Sequence, residues 1–128
     1  MAKLKHLAIV SDDPEKTVGF YREVFDFEVV QTVEEPRRLH GYLISDGTLN
    51  IAVLKFHTEG ADGEGAGTAP PRLDHIGIEV EDPGEMGRKI IAAGGAVRPD
   101  LGKMKFASPD GFVFDLAGPG IWHTAPVK

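Results

Sequence analysis

Apolar positions follow two periods along this chain, and the pair of periods occurs twice. A short apolar stretch over 7–10 leads to Asp13-Pro14, after which Val18, Tyr21, Val24 and Phe25 recur at spacings of three and four. That spacing predicts a strand followed by a helix with one apolar face. The same order returns further on. A stretch over 75–80 leads to Asp82-Pro83, then Met86, Ile90 and Ala93, and the helical pattern stops at Gly94-Gly95. In both copies Asp precedes Pro at the expected helix start, where a carboxylate accepts from free N–H groups and Pro fits the first helical position. Short β-type segments follow, at 27–33, 39–44 and 49–56 in the first copy and at 96–98, 104–107 and 112–117 in the second. Each copy therefore reads β-α-β-β-β.

The two copies align directly. KHLAIVSDDPEK from Lys5 matches DHIGIEVEDPGE from Asp74 without gaps, pairing His6 with His75, Ile9 with Ile78, Asp13 with Asp82 and Pro14 with Pro83 at an offset of 69. A repeat decides architecture before any local pattern does. It divides the chain into module one (1–57), a Gly-, Ala-, Pro- and acid-rich linker (58–71), module two (72–118) and a tail (119–128). The linker has no apolar period and reads as a flexible connection or a flap over a site.

Strand alternation places His75, Gly77 and Glu79 on one face and Ile76, Ile78 and Val80 on the other. The branched-aliphatic face is expected to carry the helix, so His75 points away from it, as do His6, Ala8 and Val10 in the first copy. A lone strand histidine is more often a core or rim residue than a ligand. Recurrence at symmetric positions shifts the balance, because a metal near the axis relating the copies would use both. Asp115, among aromatic and aliphatic neighbours in FVFDLAG, also needs a partner. A bound cation, a backbone hydrogen bond or a lysine would each remove the cost of burying it.

Composition narrows the chemistry. The chain has 128 residues, no cysteine, 20 acidic and 14 basic side chains and a net charge of −6. Thiolate ligands and disulfides are excluded, and a basic face for nucleic acid is not expected. No apolar run suits a signal peptide or a membrane span, so a cytoplasmic protein is expected. A chain of this size buries roughly two-thirds of its unfolded surface, which makes a homodimer a reasonable expectation.

His6-x-x-Ile9, the Asp13-Pro14 helix start, Phe20-Tyr21 with Phe25 a turn later, and SPDGFVFDLAG over 108–118 together resemble the vicinal oxygen chelate superfamily of glyoxalases, bleomycin resistance proteins and extradiol dioxygenases. The resemblance covers nearly the whole chain. It implies an α+β fold of two βαβββ modules forming a half-open, mostly antiparallel curved sheet around a metal, with small members usually dimeric. It places His6 and His75 at the two first-strand ligand positions and Asp115 at the final carboxylate position. Asn50 falls at the remaining one, although counting from Asp46-Gly47 against Asp110-Gly111 would match Ile51 to Asp115 instead. Val10 stands where glyoxalase I has a glutathione-binding arginine, so glutathione-dependent activity is not implied.

Two histidines and a carboxylate suit Fe(II), with Mn, Co, Ni or Zn as other choices of divalent metal. Three functions fit: a metal-dependent lyase or isomerase on a small substrate that chelates through adjacent oxygens, an extradiol-type Fe(II) dioxygenase, and a metal-free module that binds a small compound such as an antibiotic. A fosfomycin-type transferase finds no basic phosphonate cluster. Glu79, on the His75 face, is the candidate catalytic base. His40, His57 and His123 are expected at the surface or a pocket rim, and Tyr42, Phe56, Phe106 and Trp122 in the core or lining a pocket.

Overall fold

A computed structural model describes residues 1–57 and 70–127, so most of the expected linker lies outside the described residues. The first copy forms β1 (Lys3–Val10), α1 (Pro14–Phe25), β2 (Glu28–Glu35), β3 (Leu39–Ser45) and β4 (Asn50–Phe56). The second forms β5 (Arg72–Glu79), α2 (Pro83–Ala92), β6 (Ala96–Val97), β7 (Lys105–Ala107) and β8 (Val113–Ala117). Both helices start as their sequences dictate. The side chain of Asp13 accepts from the Lys16 amide and that of Asp82 from the Glu85 amide, with Pro at the first helical turn in each. No helix among the described residues is long and apolar enough to cross a membrane.

The eight strands form one open sheet in the order β2-β3-β4-β1-β5-β8-β7-β6. Within each module the first and last strands run parallel, β1 beside β4 and β5 beside β8. The modules meet where β1 pairs antiparallel with β5, in a register centred on Leu7 opposite Ile76. Those two residues are related by the offset of the sequence repeat, so the pseudo-twofold axis passes through that pair. Twice the register slips by one residue. Lys5 is the extra residue on β1 and Asp74 the extra residue on β5, again repeat-related positions, each immediately before its histidine. A bulge of this kind bends a strand and re-aims the side chains beside it.

The two modules are packed unequally. Under α1, Val18 packs with Ile44, Ile51 and Val53, backed by Ile9, Tyr21 and Phe27, while Ala8, Leu39, Ala52 and Leu54 cluster on the opposite face. The α2 helix has no fully buried residue; Met86 and Ile90 are half-buried, and Ala93, expected on its apolar face, is exposed at the C-cap. The heptad-like spacing is present in both helices, but the short strands β6 and β7 give α2 less sheet to cover.

This asymmetry predicts unequal costs of truncation. Ile44→Ala, at a site only 1% exposed, should cost about 2–5 kcal/mol, whereas Ile90→Ala should cost under about 2 kcal/mol. Urea unfolding monitored by circular dichroism reads both, and equal losses would show that α2 is as firmly docked as α1.

Candidate metal centre

Paired residues on neighbouring strands project to the same face, and one row across the sheet collects the chemistry. Asn50 on β4 pairs with His6 on β1, His6 with Gly77 on β5, Gly77 with Asp115 on β8, and Asp115 with Lys105 on β7. His75 lies one diagonal step from His6, opposite Ala8, and the two imidazole centroids are 5.4 Å apart. Ligand atoms of His6, His75 and Asp115 lie within 4.8 Å of one another, all on buried side chains. The row works because Gly77 has no side chain. A Cβ there would come within 2.7 Å of both the His6 Cβ and the Trp122 ring.

Each histidine is held from behind at Nδ1. The His6 Nδ1 lies 2.7 Å from the Asn50 amide oxygen, whose amide nitrogen in turn donates to the His123 carbonyl at 2.8 Å. The His75 Nδ1 lies 2.8 Å from Asp74, the bulged residue, which is also 3.3 Å from the Arg72 guanidinium. With Nδ1–H donating outward, the lone pair of each Nε2 is left for the interior of the site, an arrangement common to metal-ligating histidines. On the other side of His75, Nε2 is 3.1 Å from Asp115 Oδ2. An imidazole between two carboxylates either carries both protons or gives its Nε2 lone pair to a cation.

Lys105 completes the cluster. Its Nζ is 2.6 Å from Asp115 Oδ1 and 3.5 Å from His75 Nε2. The approach to Oδ1 is an ion pair, since that buried oxygen has no partner in hydrogen-bonding geometry. Burial pushes the Asp115 carboxyl upward, and the His75 and Lys105 contacts outweigh it, holding the group below the usual carboxylate range. Burial also lowers the His6 pKa to about 4; the Asn50 hydrogen bond and Asp115 oppose this, while the charges of His75 and Lys105 add to it. A neutral His6 beside an ionised Asp115 is the protonation pattern a divalent cation requires. Three convergent donors on buried side chains fit such an ion.

Residues 3–122 match the family model of the Glyoxalase/Bleomycin resistance protein/Dioxygenase superfamily. The chain belongs to that superfamily. Solved structures agree on the fold. A methylmalonyl-CoA epimerase in complex with methylmalonyl-CoA and NH4+ superposes with a TM-score of 0.73 at 23% identity, over 98% of this chain and 99% of that one. A Streptomyces coelicolor methylmalonyl-CoA epimerase variant in complex with 2-nitronate-propionyl-CoA gives 0.71 at 24% identity, over 94% and 97%. A hypothetical protein from Bacillus halodurans gives 0.74 at 14% identity, over 95% and 97%. No curated protein sequence matches.

Within this glyoxalase-superfamily fold, the expected site residues separate. His6, His75 and Asp115 come together. Asn50 does not occupy the counterpart of Asp115: Asp115 pairs with Gly77, and the repeat-related pair is Ala8 with Ala52. The parallel register of β1 and β4 therefore puts Ala52 there, and Asn50, fully buried, serves His6 instead. The alternative counterpart Ile51 points to the α1 side with Val53. Glu79 lies two residues beyond Gly77, about 7 Å along the strand, and the Trp122 ring fills the space over Gly77 between it and the cluster. Glu79 lines a cleft of about 400 Å³ with Lys5, Trp122, His123 and Thr124.

The remaining candidates fall where strand position sends them. His40 is on the outer surface, where donating a hydrogen bond to the Glu15 carboxylate holds its pKa above the usual value. His57 and the His123 side chain are exposed. Trp122 is buried and stacks on the His6 ring, centroids 5.0 Å apart and planes 3° from parallel, so the tail closes one side of the site. Arg72, Asp74 and Lys105 are site residues that the repeat did not reveal, because none has an identical partner in module one. Arg72-x-Asp74 directly before His75 was the available signal for two of them.

The His6 shift predicts a pH dependence of stability in metal-free protein. Its folded pKa lies below the unfolded 6.5 at about 4, so its protonation favours the unfolded chain. The contribution is fully present above 6.5 and is lost as pH falls towards 4, up to about 3 kcal/mol. His6→Gln should flatten stability against pH across that window in chelator-treated protein, measured by denaturant titration; a slope equal to wild type would assign the effect elsewhere.

Proposed function

We propose that this chain is a divalent-metal-dependent enzyme acting on a small substrate that chelates through adjacent oxygens, with proton-transfer chemistry of the isomerase or lyase kind. The observation that carries the reading is the buried convergence of His6, His75 and Asp115 with both histidines tied back at Nδ1. His6, His75 and Asp115 would hold the ion, which when bound supplies Lewis-acid polarisation of a substrate carbonyl. The chain's own contributions are positional. Asn50 and Asp74 fix the tautomers of the two histidines, Arg72 balances the charge of Asp74, and Trp122 shields His6 from water. Glu79 enters as a base from the cleft side only if the tail carrying Trp122 shifts. The epimerase neighbours support an isomerase-type reading through fold alone.

A second reading has one observation in its favour. Lys105 already sets a positive charge against Asp115, which is what a metal-free binding module would need to keep that carboxylate buried. Iron in the site, with oxygen uptake on catechols, would instead favour the dioxygenase chemistry. Light scattering of the same preparations reads the homodimer that the chain's size suggests.

Elemental mass spectrometry of protein purified without chelator tests the proposal. About one metal per chain is expected, lost in His6→Ala, His75→Ala and Asp115→Ala. Absence of metal after reconstitution with Fe(II), Mn, Co, Ni and Zn would leave the binding module as the better account. Asp74→Asn should retain the site with metal affinity lowered by about 10–100-fold, read by competition with a chromogenic chelator; an unchanged affinity would remove Asp74 from the supporting shell.

A further inference from the structure

From the end of β8 the tail crosses the face of the sheet that carries the cluster. It passes over Gly77 on β5, His6 on β1 and Asn50 on β4, and reaches the edge strand β2. Among the described residues three ties hold it. The Trp122 ring stacks on His6, the His123 carbonyl accepts from the Asn50 amide nitrogen at 2.8 Å, and the Val127 amide donates to the Val30 carbonyl at 3.0 Å. Val30 is the extra residue of a bulge in β2, left out of the ladder with β3. Over 118–127 only Trp122 is buried, and the segment starts with Gly118-Pro119-Gly120, where Gly120 has a φ of 84° that glycine adopts freely. One buried ring and two hydrogen bonds place the tail at the low end of local stability, so it can lift while the sheet stays folded.

What the tail covers gives that motion a use. The tip of the indole stands over Gly77, in the row between His6 and Asp115, and separates the cluster from the cleft lined by Lys5, Glu79, His123 and Thr124. With the ring lifted, cleft and cluster become one space that includes Glu79. We propose that residues 118–127 are a gate over the centre, with Val127 on Val30 as its latch and Trp122 as its plug, and that ions and small substrates pass between cleft and cluster when the tail is raised. This rests on the reading of His6, His75 and Asp115 as the functional centre. The latch lies on β2, three strands from His6 in the sheet order, so its strength sets how often the gate opens without touching a ligand residue.

Trp122 is the chain's one tryptophan, so its fluorescence reports the gate directly. Val127→Pro removes the latching N–H, and Ile121→Thr, at an exposed tail position, is the control. In chelator-treated protein, acrylamide should quench Trp122 about threefold more strongly in Val127→Pro than in wild type or the control. Stopped-flow quenching by Co(II) then reads capture, and recovery of fluorescence in excess EDTA reads release. Loss of one hydrogen bond should speed both by roughly fivefold and leave Co(II) affinity within about twofold of wild type, because a gate changes the barrier and not the bound state. Faster release alone, with affinity reduced, would make the tail a structural prop and overturn the proposal. So would capture and release in Val127→Pro at wild-type rates, or quenching by acrylamide equal to wild type. Wild-type protein that takes up no Co(II) would overturn the metal-enzyme reading, and the acrylamide comparison alone then decides the gate.

Discussion

Everything at the candidate centre depends on the antiparallel pairing of β1 with β5. Neither module can assemble the cluster alone, since one supplies His6 and the other His75 and Asp115. The pairing centred on Leu7 and Ile76 sets the histidines on a diagonal across two strands, close enough for their side chains to meet. The two bulges refine this. With an extra residue just before each histidine, the strands bend where the rings must converge, and the bulged Asp74 reaches the histidine that follows it. Backbone register thus does the positioning that loops do in many sites, with the rigidity of a sheet behind it.

Electrostatics at the centre is arranged in pairs. Buried charges are tolerated only when compensated, and here Arg72 faces Asp74 while Lys105 faces Asp115. The two histidines have different supports, a neutral amide behind His6 and a carboxylate behind His75. The stronger donor environment is therefore at His75, on the side of the site that also holds Asp115. Trp122 adds a flat apolar cover over His6, and its presence over Gly77 explains why that strand position has no side chain.

Much of this was legible in the residues. The duplicated His, Ile and Asp-Pro positions carried the βαβββ repeat, the helix starts and the two histidines of the cluster, because each recurs at the same place in both copies. Asp115 stood out as a carboxylate among apolar neighbours. What escaped reading were features that depend on register between strands. The resemblance sets Asn50 opposite Asp115 and counting from the turns sets Ile51 there, yet the pairing of β1 with β4 puts Ala52 in the matching place. Lys105 and Trp122 reach the site through contacts across β7 and from the tail, at sequence distances that no local period marks. Glu79 shares a strand face with His75, but alternation alone did not reveal the indole ring that stands between them.

The alanine at position 52 has a consequence for the history of the molecule. A duplication begins with two equal halves, and a carboxylate at both matching positions would make a site symmetric about the axis. Here one half has an acid and the other a methyl group. The centre therefore leans toward the second half, which holds most of the donors, and the first half is released to shape the space in front of them with small apolar side chains such as Ala8 and Ala52. Division of labour between former equals is what turns a symmetric pair of modules into a single site with a front and a back.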